Sequence, residues 1–148
     1  EYIKVEDIMI ENPVTCTGDL SRTRCVKRMK ERHVDTLLVV DENRKLQGMI
    51  NRKALYRAKN PLAAAETMMK TDVLTASPDD NILQLLKLID EYDVGNIPVV
   101  DENEKVLGLI TNSNLISTLS QQYLTEDEED TEDRTSDEDQ QDMTEKEV

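Results

Sequence analysis

The sequence predicts an α+β fold, a pseudo-twofold pair of β-α-β-β-α repeats with a disordered acidic C-terminal tail. Three observations carry this. The chain aligns with itself at an offset of 60 residues, each copy alternates helical and strand patterning in the same order, and acid concentrates after residue 122. The ungapped offset gives 16 identities between 6–58 and 66–118, led by Val39-Val40-Asp41-Glu42-Asn43 with Val99-Val100-Asp101-Glu102-Asn103. Lys45/Lys105, Gly48/Gly108, Ile50/Ile110 and Leu55/Leu115 extend the match. The expected divisions are repeat one over 1–60, repeat two over 61–122 and the tail over 123–148. Each repeat alone is too small to bury a sufficient core, so the two must share one.

Each repeat opens on a short helical turn, Glu6–Ile10 and Ala64–Met69, followed by an extended Pro13–Cys16 and Val73–Ala76. Asp19 and Pro78-Asp79-Asp80 are helix-start signals. Helices are then expected over Leu20–Arg32, with Cys25, Val26 and Met29 on the apolar face, and over Ile82–Tyr92, with Ile82, Leu85, Leu86 and Ile89. A strand follows at Thr36–Val40 or Asn96–Val100, then an Asp-Glu-Asn turn and a second strand at Leu46–Ile50 or Val106–Ile110. A last helix starts from Arg52 or Ser113. From Thr125 onward few apolar residues remain, so the segment cannot offset its own ordering entropy.

Composition excludes several classes. Residues 1–122 hold 19 acids and 16 bases, and 123–148 hold 13 acids and 2 bases, so most of the net charge of −14 sits in the tail. A duplex binder shows a basic excess, and without Trp or Phe there is no stacking platform for single strands, so no nucleic-acid partner is expected. No apolar run approaches the roughly 18 residues of a membrane-spanning helix. Cys16 and Cys25 do not make a disulfide framework, and a reducing compartment is expected. One His and two Cys are too few for a structural zinc site, so no metal is expected. The glycines at 18, 48, 95 and 108 form neither a phosphate-binding loop nor a dinucleotide fingerprint. No catalytic nucleophile–base–metal constellation can be assembled, so the chain is expected not to be an enzyme by itself. With Glu at position 1 and a repeat opening within a few residues, it is expected to be a piece of a longer protein.

Val-Gly-Asn-Ile-Pro-Val-Val-Asp (94–101), Gly-Leu-Ile-Thr-Asn-Ser-Asn-Leu (108–115) and Gly-Met-Ile-Asn-Arg-Lys-Ala-Leu (48–55), on a duplicated β-α-β-β-α unit, resemble the tandem CBS domain or Bateman module over about residues 4–120. The resemblance implies a regulatory module whose inter-repeat clefts bind adenine nucleotides and signal to an attached protein. The Val-Glu-Asp-Ile-Met start and the acidic tail narrow it. The chain resembles the C-terminal regulatory part of the ATP-binding subunits of bacterial osmoprotectant (glycine betaine/carnitine/choline) ABC transporters. That implies an attached ATPase domain, a transporter permease, and a cytoplasmic location at the inner face of the membrane. Separately, Arg22, Arg24, Lys27, Arg28, Lys30 and Arg32 on one helix are read as a solvated face, as a charge-complementary dimer contact, or as a contact for anionic lipid, the ATPase domain or the tail.

The family's ligand signature is a Ser/Thr-x-x-Asp step, in which the hydroxyl and a helix start receive phosphate and the Asp accepts the ribose hydroxyls. Here the second repeat reads Thr111-Asn112-Ser113-Asn114, and the first reads Asn51-Arg52-Lys53-Ala54. A neutral Asn is a weaker ribose acceptor than a carboxylate, and Ala54 is none. No cofactor is required, and the expected ligand is an adenine nucleotide. Cyclic di-AMP fits best, because its 3′ hydroxyls are tied up in phosphodiesters and it regulates transporters of this kind. The resemblance places Val14, Val34 and Thr36 on one wall of the cleft, and Asn96, Leu109, Thr111, Asn112 and Asn114 on the other. The alternative for Thr111 and Asn114 is helix capping, and the alternative for the whole chain is a dimerisation or docking module without a ligand.

Charge divides the repeats as well. Residues 6–60 carry 12 bases against 8 acids, net +4, and residues 61–122 carry 3 against 10, net −7. A homodimer through the pair is expected, head-to-head or head-to-tail. His33 is read as a helix-end or surface residue. The tail is read as a solubiliser or as an ionic-strength sensor, because salt shortens the Debye length from about 10 Å at 0.1 M to about 3 Å at 1 M.

Overall fold

The computed structural model describes residues 3–130, without the side chains of 122–130. In chain order the elements are α1 (Val5–Ile8), β1 (Ile10–Glu11), β2 (Thr15–Thr17), α2 (Arg22–Arg32), β3 (Thr36–Val40), β4 (Leu46–Asn51), α3 (Arg52–Arg57), α4 (Ala65–Met68), α5 (Ile82–Tyr92), β5 (Asn96–Val100), β6 (Val106–Thr111) and α6 (Asn112–Asp130). These are the mixed α and β elements expected. The chain forms two compact units, one ending at Asn114 and the other beginning at Leu115. In the second unit, α6 continues through Asp130, past the point at 123 where disorder is expected to begin, and 131–148 lie outside the described residues.

Both long helices start three residues after an acidic signal, Arg22 after Asp19 and Ile82 after Asp79. Ser21 caps α2 by accepting from the Arg24 N–H, and Asn81 caps α5 by accepting from the Leu83 N–H. Asp80 instead accepts from the Ser77 N–H and shapes the preceding turn. Both helices end on a left-handed residue, His33 (φ 54°) and Asp93 (φ 49°), 60 positions apart. His33 is therefore a helix C-cap, as its position suggests.

The strands form two three-stranded sheets, β2-β3-β4 and β1-β6-β5. Within each, the hairpin is antiparallel, with matching registers such as Val39↔Gly48 and Val99↔Gly108. The outer strand differs. In repeat one β2 runs parallel to β3, whereas the expected extended Val73–Ala76 contributes a single bridge, Ala76↔Val99.

The lead-in segment of each repeat is built into the other repeat. β1 pairs with β6 at Ile10↔Leu109, and 60 residues later Lys70 bridges Met49 on β4. The Val5 N–H reaches the Asp80 carbonyl at 2.9 Å, and its counterpart Ala65 N–H reaches Leu20 at 2.8 Å. Ala65, Met68 and Met69 of repeat two accordingly pack in one core with Cys16, Cys25, Met29, Leu37, Val39, Ile50 and Leu55 of repeat one. A second cluster, Leu38, Val40, Val100, Val106 and Leu109, joins the two hairpins. There the Leu46 N–H donates to Glu104 and the Val106 N–H donates to Arg44, each at 3.0 Å. This exchange is why no compact unit ends at residue 60.

Both cysteines are buried and unbridged, and burial pushes the Cys16 thiol up to about 12, reinforced by the neighbouring Cys25. A raised pKa favours the protonated folded state, so this contribution is complete below the ordinary value of 9.0 and is lost as pH rises towards 12. Thermal melts between pH 8 and pH 11 should show a steeper alkaline loss for the native chain than for Cys16→Ala. Parallel curves would mean the thiol is not responsible.

Candidate inter-repeat nucleotide cleft

The crossing of the repeats leaves a cleft of about 450 Å³. Repeat one brings Asn12, Pro13 and Val14 from the lead into β2, and His33, Val34, Asp35 and Thr36 from the α2–β3 corner. Repeat two brings Asn96 at the start of β5, and Leu109 and Thr111 on β6. The αL turn at His33 reverses the chain so that the end of α2 and the start of β3 face the same opening. Ile10 reaches the cleft because β1 pairs with β6.

Six of the eight sequence-derived site residues line this cleft: Val14, Val34, Thr36, Asn96, Leu109 and Thr111. Asn112 and Asn114 are not among its lining residues. The Asn114 carboxamide is engaged locally. Its Oδ1 accepts from the Thr111 N–H at 2.8 Å and from the Thr111 hydroxyl at 3.1 Å, and its Nδ2 donates to the Ile8 carbonyl at 2.6 Å. The Asn114 N–H donates in turn to the Thr111 hydroxyl at 3.1 Å. This reciprocal pattern is a capping box at the start of α6, tied to the end of α1.

The residues that sequence reasoning missed are the cations. Arg32 and Arg52 line the cleft together with His33, against the single acid Asp35. Arg32 was visible only as one of many bases on α2, and Arg52 only as a departure from the Ser/Thr-x-x-Asp step. Their counterparts 60 positions on are Tyr92 and Asn112, while His33 corresponds to Asp93 and Asn12 to Asp72. An anion is thus favoured on the His33 side of the molecule and disfavoured at the equivalent positions of the other half. Guanidinium groups suit phosphate because they offer planar, charged donor pairs. Among the described residues, no group of three or more His, Cys, Asp or Glu is placed to hold a metal ion.

The CBS domain family matches residues 5–60 and 65–121. The chain belongs to that family. This CBS pair is 32% identical over 120 residues to the carnitine transport ATP-binding protein OpuCA of Listeria monocytogenes, covering 78% of this chain and 29% of that protein. It is homologous to the OpuCA and OpuBA ATP-binding subunits, and it spans under a third of the length of those relatives. In structure it resembles Staphylococcus aureus OpuCA, with a TM-score of 0.69 and 28% identity, covering 78% of this chain and 98% of that one. It also resembles the CBS domain pair of protein MJ0100, solved with 5-methylthioadenosine and S-adenosyl-L-methionine. There the TM-score is 0.71 and the identity 28%, covering 79% of this chain and 98% of that one. No described helix of the CBS pair is long and apolar enough to cross a membrane.

Proposed function

We propose that this CBS pair is the regulatory module of an osmoprotectant ABC-transporter ATP-binding subunit, held at the cytoplasmic face of the membrane and gating transport through an adenine nucleotide in the inter-repeat cleft. The observation that carries the reading is the cleft's composition. Apolar Val14, Val34 and Leu109 offer contact to a base, while Arg32 and Arg52 offer donors to phosphate. The adenosyl compounds bound by MJ0100 support the ligand class. Cyclic di-AMP is the preferred ligand, because no carboxylate stands at position 114 to hold a free ribose diol. The ligand favours one geometry of a homodimer and so spaces the attached ATPase domains, a population shift that needs only differential affinity. The acidic segment after 122 adds an ionic-strength response by screening.

One observation favours a second reading, a docking and dimerisation module without a ligand: the Asn114 side chain is already satisfied by Thr111 and Ile8. Isothermal titration with cyclic di-AMP, AMP and ATP separates the two. Binding of cyclic di-AMP alone is the expected result. Tight AMP or ATP binding would make the module an energy-charge reader, and no binding of any would leave docking as its role. Repeating the titration on a chain ending at 122, and assaying transport by the full ATP-binding subunit cut at the same point, tests the salt response, which should shift with the truncation.

A further inference from the structure

Beside the nucleotide cleft, a groove of about 340 Å³ lies between α2 and α3, lined by Val26, Met29, Leu55 and Tyr56 with Arg22 and Lys30. Each opening has cations of its own, Arg32 and His33 in the cleft and Arg22 and Lys30 in the groove. Arg52 lines both. It is the first residue of α3, and its backbone is set by the cap before it, where the Asn51 side chain accepts from the Ala54 N–H at 2.9 Å. Its side chain is exposed, and among the described residues its guanidinium makes no hydrogen bond or ion pair. Arg22 differs, because its Nε donates to the Leu55 carbonyl at 2.6 Å and is held there. Arg52 is therefore a long, free cation on a fixed base, and one guanidinium cannot fill two openings at once.

Electrostatics decides which opening it serves. The empty cleft holds one acid, Asp35, against Arg32 and His33, so little draws a further cation into it. On the groove side, Tyr56 stands four positions on along α3, the spacing at which helical side chains meet, and offers a cation its ring face. A phosphate in the cleft reverses the balance, because it adds negative charge and acceptors matched to the planar donor pair. The device belongs to one half of the molecule. The counterpart of Arg52 in repeat two is the uncharged Asn112, and the counterpart of Lys30 is Asp90.

We infer that Arg52 relays occupancy of the cleft to the α2/α3 groove: a bound phosphate draws the guanidinium to the cleft side, and the groove loses one positive charge. The inference rests on the reading of the cleft as a nucleotide site and adds the route by which its occupancy reaches another surface. The coupling is reciprocal, so a carboxylate placed at the groove must weaken nucleotide binding by holding Arg52 back.

Nuclear magnetic resonance titration of the full chain with cyclic di-AMP, and separately with AMP, is the test. The Tyr56 ring signals, assigned with Tyr56→Phe, should shift with the midpoint of calorimetric binding, although Tyr56 does not line the cleft. In Arg52→Ala, brought to saturation at higher nucleotide, that shift should be lost, and Lys30→Ala should keep it. Tyr56→Glu reads the reverse direction, at a position 80% exposed that should tolerate the change. It should weaken nucleotide binding by roughly twofold more in the native background than in Arg52→Ala, the size of an i, i+4 ion pair. A Tyr56 ring that stays still as nucleotide binds, a shift that survives Arg52→Ala, or equal losses from Tyr56→Glu in both backgrounds would overturn the relay while leaving the nucleotide site standing. A chain that binds neither nucleotide would overturn both.

Discussion

Gly48→Ala is expected to destabilise the CBS pair by about 2–3 kcal/mol, at the upper end of overpacking costs, and Gly108→Ala by less. Both glycines lie where the lead-in segment of the other repeat crosses a hairpin. A Cβ on Gly48 would stand 2.7 Å from the Lys70 carbonyl oxygen and 2.8 Å from Met69 Cγ and Sδ. That carbonyl accepts the Met49 N–H at 2.9 Å and cannot retreat without losing the bond. On Gly108 the nearest atom would be Met9 Sδ at 2.6 Å, with the Ile10 carbonyl at 2.9 Å. A thioether at the end of a flexible chain can swing away, which a carbonyl cannot. Urea denaturation of the two variants should therefore rank Gly48→Ala below Gly108→Ala. Adding Met69→Ala should not restore Gly48→Ala, since the carbonyl remains. A Gly48→Ala midpoint equal to the native one would show that the crossing is loose.

Arg52→Ala is expected to weaken binding of a phosphate-bearing nucleotide by roughly 10- to 100-fold, the size of one lost charge-assisted hydrogen bond of about 1.5–3 kcal/mol. Arg52→Lys should keep part of the affinity, because the charge remains while the planar donor pair is lost. Lys53→Ala and Asn112→Ala are the controls. Neither residue lines the cleft, and both are exposed. The native affinity should fall with added salt, and the Arg52→Ala affinity should fall less steeply. Titration calorimetry at two salt concentrations reads both effects. Equal losses for Arg52→Ala and Lys53→Ala would reduce the role of Arg52 to general surface charge.

Six of the residues that line the cleft were legible because the family resemblance places them there. Val34 and Thr36 stand where a helix ends and a strand begins, and Thr111 stands where a strand hands over to a helix. Such junctions are visible as changes of hydrophobic period. The cations were not legible, because Arg32 and Arg52 read as solvated bases until the repeats are crossed in space. Asn114 illustrates the converse. Its spacing from Thr111 fits both a ligand step and a capping box, and in the structure its amide is engaged by Thr111 and by Ile8, 106 residues away in sequence.

By itself, the sequence determined the duplication, the order of helices and strands in each copy, the family, and the unequal charge of the halves. The duplication, the element order and the charge are local or self-referential properties, carried by periodicity and by the match of the chain to itself, whereas the family is carried by the resemblance of the runs 48–55, 94–101 and 108–115. Only the tertiary structure decided that repeat one supplies a strand to the sheet of repeat two while repeat two bridges back from Lys70 to Met49, that Gly48 and Gly108 admit the crossing backbone, and that Arg32 and Arg52 share one opening. The physical reason is that edge pairing and close backbone approach join residues far apart along the chain, through hydrogen bonds that leave no trace in side-chain period.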